Sequence, residues 1–367
     1  MTARGGWRQA ADVCDPLFMS TVSVPVIDLG GWADGSANQR AAIAGSVDAA
    51  CRESGFFQIV GHGVPAALVE HVLTEIDAFF HLRVEEKLGI GPASNAINRG
   101  FLPLGSEALS YSVGIDTPAD LRECFVMGPD DVPDDEIHRL DPYNVFAPNL
   151  WPQHPAGLRP AMTTYFAAVA ALAHTIVDVY AVALGLPADY FHGHLDHSTE
   201  TLRVNYYERL APDAPVADSQ QRLGAHTDYG ITTVLHTDRV PGLQLLDLDG
   251  AWHDVLPEPG AFIVNLGDLL AQWTNDRWRS TVHRVVADDG AGIRPGTRRR
   301  SLAFFLDGNY DSLVECLPTC CDENVPPSYP PTTAGAHLAE KLRGARTLTK
   351  ADTIDTVGDR IDALRGA

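Results

Sequence analysis

Between Thr201 and Leu306, apolar and polar residues alternate in short runs, the period-two pattern of strands with two unlike faces. The runs fall at 203–207, 224–228, 232–237, 243–246, 252–255, 261–266, 281–286 and 300–306, with turn signals at Asp249-Gly250, Pro259-Gly260 and Asn275-Asp276. Eight short strands at this spacing predict a double-stranded β-helix, or jelly roll. Ahead of them the period changes. Residues 156–184 carry apolar positions at helical spacing, and Gly185-Leu186-Pro187 supplies a stop and then a breaker. This predicts one long helix across the outside of the sheet. Its most apolar part, Ala167 to Leu186, holds His174 and Asp178, so it reads as a core-packed helix and not a membrane span. Shorter helices are expected at 38–54, 65–80 and 83–88, the first ended by Gly55 and the second begun at Pro65, with strands at 24–29 and 56–60. Residues 89–152 are rich in Gly, Pro, Asn and Asp and predict irregular chain with about two strands. A helix at 333–343 is placed to cap the mouth of the roll.

The expected fold class is therefore α+β, mainly β: a jelly-roll core with flanking helices. Residues 1–23 are expected to form a loosely held arm, 24–155 an amino-terminal α/β region, 156–345 the long helix, jelly-roll core and capping helix, and 346–367 a tail with no readable pattern. Composition adds limits on partners. The 367 residues carry a formal net charge of −21, with 45% hydrophobic and 20% charged residues. That balance is globular and ample for a core, and the acidity argues against nucleic acid or an anionic membrane as partner. A small molecule is the expected partner and a monomer the default state. Six cysteines without a C-x-x-C or a disulfide framework, and no basic segment followed by an apolar run at the start, point to a reducing, cytoplasmic setting.

The candidate chemistry lies on the predicted strands. In 223–237, LGAHTDYGITTVLHT, His226 and Asp228 are two apart, so on a strand an imidazole and a carboxylate project from one face. A metal held there needs a third ligand. His283, in the alternating run Arg279 to Val286, completes a His-x-Asp…His set. Two neutral imidazoles and one carboxylate, with the opposite metal face open, are the ligand set of non-haem Fe(II) oxygenases. A fourth element, Arg298 to Leu306, places Arg299 and Ser301 on one face of a buried strand. A guanidinium beside a hydroxyl suits a small carboxylate, while alternation turns Arg298 and Arg300 away. His62, between two glycines, reads as a turn residue, and His192, His194, His197, His236 and His253 as surface or turn residues.

These residues resemble the iron- and 2-oxoglutarate-dependent dioxygenases of the isopenicillin N synthase-like family, whose pattern is His-x-Asp, a distal His and Arg-x-Ser. The blocks Val24-Pro25-Val26-Ile27-Asp28-Leu29 and Gly55-Phe56-Phe57-Gln58-Ile59-Val60-Gly61-His62-Gly63 are similar as well, and the family order runs from about Val24 to about Leu342. The resemblance implies Fe(II) on His226, Asp228 and His283, and 2-oxoglutarate on Arg299 and Ser301. Asn205 and Tyr207 of the Asn-Tyr-Tyr element would help to bind it, Tyr207 through its phenol. Dioxygen would be the third reactant and succinate and carbon dioxide the by-products. The outcome would be hydroxylation, desaturation or ring closure of a small organic substrate, in secondary metabolism such as antibiotic biosynthesis. Asp228 speaks against a halogenase, which vacates that position for halide. In the family the irregular amino-terminal half lines part of the substrate pocket, so Arg99, Phe101 and Leu104 are candidates there, with Phe305 on the Arg-x-Ser strand. Two alternatives stay open: a 2-oxoglutarate-independent Fe(II) oxidase of the same family, and a non-catalytic jelly roll that binds a metal and a small carboxylate. A zinc hydrolase would need a general-base carboxylate that no motif supplies.

Overall fold

The alternation along the strands becomes the two faces of one large sheet. The computed structural model describes residues 24–94, 97–208, 220–286 and 297–347. The arm expected at 1–23 and the tail beyond 347 lie outside them. The amino-terminal region runs β1 (Val26–Asp28), α1 (Ala37–Glu53), β2 (Phe56–Val60), α2 (Ala66–Phe80), α3 (Val84–Leu88), β3 (Gly100–Leu102), β4 (Glu123–Met127) and α4 (Glu136–Arg139). Next come the long helix α5 (Leu158–Ala183) and strands β5 (Ser198–Tyr207), β6 (Gln221–His226), β7 (Thr232–Thr237), β8 (Leu243–Leu246), β9 (Trp252–Asp254) and β10 (Phe262–Leu266). The last described elements are α6 (Asp268–Trp273), β11 (His283–Val286), β12 (Arg299–Asn309), the short pair β13 (Leu313–Val314) and β14 (Thr332–Thr333), and α7 (Ala334–Thr347).

An eight-stranded sheet in the order β1-β2-β10-β7-β12-β5-β4-β3 faces a four-stranded sheet in the order β6-β11-β8-β9. Every pairing in these two sheets except β1 with β2 is antiparallel. On the outer face of the large sheet Leu202, Val204, Tyr206, Val234, Val264, Leu302, Phe304 and Leu306 join residues of α1, α2 and α5 in the main core. On the inner face Tyr207 and Ile263 meet Leu223, Leu243, Leu245 and Val285 of the small sheet. Both faces of the central strands are covered, and odd and even positions do different work: one set packs helices, the other lines a cavity. Burying both faces is what lets β12 read as a nearly unbroken apolar run.

Local signals set several boundaries. Ser36 caps α1 by accepting from the Gln39 amide at 3.3 Å, and the Gln39 side chain accepts from the Ser36 amide at 2.8 Å. Gly55 follows at φ 67°, where its Cα lies so close to the Arg279 carbonyl that a Cβ would collide with it. The His62 ring accepts from the Val64 amide and meets the Gly260 carbonyl at 2.9 Å, the turn role its flanking glycines suggest. His236 departs from its expected surface position. Its ring packs edge-on against Phe262, and burial, with Arg300 and His62 nearby, pushes it down to about 4. Between pH about 6.5 and about 4 the unfolded chain therefore takes up a proton that the folded chain refuses, so stability falls as pH falls through that window. Thermal unfolding should show a Tm that declines below pH 6.5, and less steeply in His236→Gln.

Candidate active site

His226 is the last residue of β6 and His283 the first of β11, directly opposite each other in the antiparallel register. Their rings are 4.3 Å apart between centroids. The Nδ1 of His226 meets the Gly224 carbonyl at 2.8 Å and that of His283 the Thr281 carbonyl at 3.1 Å. A carbonyl only accepts, so each ring keeps its proton on Nδ1 and turns the Nε2 lone pair inward. Burial, and then the neighbouring His283, holds His226 well below its usual range, which keeps it the neutral ligand a metal needs.

Asp228 is not on the strand, a correction to the strand pattern expected at 224–228. The ladder ends at His226, and 227–230 turn before β7. Its carboxylate is aimed instead by two donors, Thr233 Oγ1 and Asn265 Nδ2, each 2.6 Å from Oδ2. This leaves Oδ1 at 3.8 Å from both His226 Nε2 and His283 Nε2. One ion with bonds of about 2.1 Å bridges atoms up to roughly 4.2 Å apart, so these separations fit a single first-row cation. All three residues are buried.

Arg299, the first residue of β12, faces the same cavity and is 1% exposed. Its Nε reaches only the Val240 carbonyl at 3.4 Å, its Nη1 has no hydrogen-bond partner, and its guanidinium lies 5.2 Å from the centre of the Tyr207 ring. The Tyr207 hydroxyl is also buried, with Ser301 as its polar neighbour, and burial raises its pKa. Between this pair and the histidines the lining is apolar, from Leu223, Leu235, Leu243 and Val285. A buried cation and a phenol side by side, beyond an apolar stretch from a three-ligand metal site, fit a short dicarboxylate with a methylene spacer. Ser301 lines the same face and accepts from Asn205 Nδ2 at 3.2 Å. Asn205 in turn accepts from Arg122, so it bridges Ser301 to a buried charge network. Alternation holds for the flanking arginines: Arg298 and Arg300 point outward to Asp77 of α2 at 3.2 and 2.8 Å.

Three residues expected to line the substrate pocket do not. Arg99 is 1% exposed, and its guanidinium donates to the carbonyls of Asn98, Val145 and Ala147, tying together loops that a neutral side chain could not. Phe101 is wholly buried between Phe79 and Phe80, and Leu104 is 57% exposed. Phe305 does line the cavity, because it shares the parity of Arg299 and Ser301 on β12. The irregular region supplies a different group. Glu107 takes a bidentate pair from Arg203 at 2.9 and 3.0 Å and accepts from Arg122 at 3.0 Å, while Arg122 also lies 3.7 Å from Asp120. From helix α7, Leu338 and Leu342 line the cavity and Lys341 is bound to Asp268 at 2.8 Å.

Fold and site together define a non-haem, iron-dependent oxygenase. Residues 24–154 match the family described as non-haem dioxygenase in morphine synthesis, N-terminal, and residues 198–308 match the 2OG-Fe(II) oxygenase superfamily. The 2-oxoglutarate-Fe(II) type oxidoreductase hxnY of Emericella nidulans is 33% identical over 339 residues, covering 89% of this chain and 90% of its own length. The validamycin A dioxygenase of Streptomyces hygroscopicus subsp. limoneus is 32% identical, with 88% and 86% covered. The crystal structure of a full-length Neurospora crassa protein in complex with alpha-KG and thymine superposes with a TM-score of 0.76 at 28% identity, covering 89% of this chain and 98% of that one. The chain belongs to the 2OG-Fe(II) oxygenase superfamily, and its cofactors are Fe(II), 2-oxoglutarate and dioxygen.

Proposed function

We propose that this enzyme oxidises a small organic substrate of secondary metabolism at the expense of 2-oxoglutarate, which leaves as succinate and carbon dioxide. The observation that carries the reading is the pairing of the His226-Asp228-His283 cluster with the buried Arg299, whose Nη1 has no hydrogen-bond partner among the described residues, and the Tyr207 hydroxyl, in one cavity. Bound together, iron and 2-oxoglutarate supply the oxidising power for attack on an unactivated C–H bond. The chain's own residues do the rest. His226, Asp228 and His283 would hold Fe(II) as two neutral imidazoles and one carboxylate. Arg299, Tyr207 and Ser301 would hold a carboxylate of 2-oxoglutarate. Leu338 and Leu342 of α7 cover the site against water. The free thiols of Cys51, Cys124, Cys316, Cys320 and Cys321 support a reducing, cytoplasmic setting.

Relatives support the setting: the names of similar proteins include a dioxygenase of validamycin A and an azadirone synthase of Melia azedarach. The test is a screen of small metabolites for those that raise succinate formation from 2-oxoglutarate, followed by the product mass. A gain of one oxygen marks hydroxylation, and a loss of two hydrogens marks desaturation or ring closure. A chain with metal and 2-oxoglutarate bound that never forms succinate would overturn the reading.

A further inference from the structure

The cavity-facing positions of β12 form a row: Arg299, Ser301, Ala303, Phe305 and Asp307. At about 3.3 Å per residue, the row runs roughly 25 Å from its guanidinium to its carboxylate. Phe305 pairs with Thr233, whose hydroxyl holds Asp228, so the metal cluster stands between the two ends. Asp307 lies beyond it, against the loop that carries Asp228. A Cβ at Gly230 would sit 1.9 Å from its Oδ1, which is why that loop has glycine there. 2-Oxoglutarate would take the Arg299 side of the cluster, reached by the long arginine side chain. What remains past the metal, bounded by Phe305, Asp307, Tyr229, Leu338 and Leu342, is space for the substrate to be oxidised.

Asp307 is 5% exposed, and among the described residues no hydrogen-bond donor or cation faces it; burial, with the carboxylates of Asp228 and then Glu200 nearby, raises its pKa to about 7. Every other charge on the cavity wall has a counter-charge. Arg122 and Arg203 are balanced by Glu107 and Asp120. With Fe(II) and 2-oxoglutarate in place, two positive charges on iron and one on Arg299 balance the dianion and Asp228. Asp307 is left without a cation, so in the ligand-free cavity its charge is relieved only by taking up a proton, which a cationic ligand would replace. A carboxylate buried without a donor or a cation is costly, and the cost falls when a ligand brings both.

Resting on the oxygenase reading above, we propose that Asp307 anchors the primary substrate and that this substrate carries a cationic amine. Its N–H groups pair with the Asp307 carboxylate a few bonds from the carbon that is oxidised. Asp307 is a specificity residue that touches substrate and takes no part in holding the metal or 2-oxoglutarate.

The test uses the full-length chain loaded with Zn(II) and 2-oxoglutarate, which binds without turnover, and three probes of one size: cyclohexylammonium, cyclohexanol and cyclohexanecarboxylate. Ligand-observed NMR reads their binding and that of 2-oxoglutarate in the same tube. Wild type should prefer the ammonium over both others by at least tenfold. Asp307→Asn should lose that preference while its affinity for 2-oxoglutarate stays within about twofold. Wild-type binding of the alcohol or the carboxylate as tight as that of the ammonium overturns the proposal without recourse to any variant, as does an Asp307→Asn chain that keeps the preference. Failure of 2-oxoglutarate itself to bind wild type would instead overturn the oxygenase reading, and this proposal with it.

Discussion

Arg299→Ala is expected to weaken 2-oxoglutarate binding by two to three orders of magnitude and to leave the fold of the ligand-free chain intact. Both halves follow from the same geometry. In the ligand-free protein the guanidinium is buried at 1% exposure with one long hydrogen bond and, among the described residues, an unpartnered Nη1; only the field of Asp238 and the Tyr207 ring offset its desolvation, so it adds little to the fold. Removing a buried charge so weakly compensated costs the fold little. When a carboxylate arrives, the same group becomes half of a buried bidentate pair. Loss of one partner from such a pair costs about 3–5 kcal/mol, or roughly a few hundred- to a few thousand-fold in affinity. Titration calorimetry of 2-oxoglutarate into the zinc-loaded chain measures it. Arg300→Ala is the matched control. Its side chain faces Asp77 and Asp238 on the far side of the strand, so 2-oxoglutarate affinity should change by less than about threefold.

The second large effect is on the metal. Asp228→Ala removes the only anionic ligand and should lower affinity for a divalent cation by at least about a hundredfold, read by competition with a coloured chelator. The more informative variants are Thr233→Val and Asn265→Ala. Neither touches the metal, yet each deletes one of the two 2.6 Å hydrogen bonds that aim Asp228. Supporting bonds of this kind carry about 10- to 100-fold in metal affinity. The double variant should approach Asp228→Ala, because Asp228 lies in a turn and no ladder fixes its direction.

That last point marks where the sequence stops being legible. His226, His283, Arg299, Ser301, Asn205 and Tyr207 all sit on strands, where alternation alone decides which side chains face inward, and all six line the cavity. Asp228 reaches the same cavity for a different reason, since the strand ends before it and distant side chains hold it. Thr233 and Asn265 carried a readable signal, polar residues at inward positions of buried strands. So did Asp307, which shares the parity of Arg299. Glu107, Asp120 and Arg122 carried none. They lie in or beside irregular chain, where no period links position to direction, and only the fold brings them to Arg203. The same absence of period misplaced Arg99, Phe101 and Leu104. A buried arginine that satisfies three loop carbonyls looks, in sequence, the same as one that greets a substrate.

The most direct test of the central claim is anaerobic addition of Fe(II) and then 2-oxoglutarate to the full-length chain, watched for the weak visible metal-to-ligand charge-transfer band. The band should appear in wild type, be absent in His226→Ala, and be absent in Arg299→Ala at concentrations of 2-oxoglutarate that saturate wild type. A wild-type chain that binds iron tightly yet gives no band would contradict the account and point to an oxidase that draws all its electrons from its substrate.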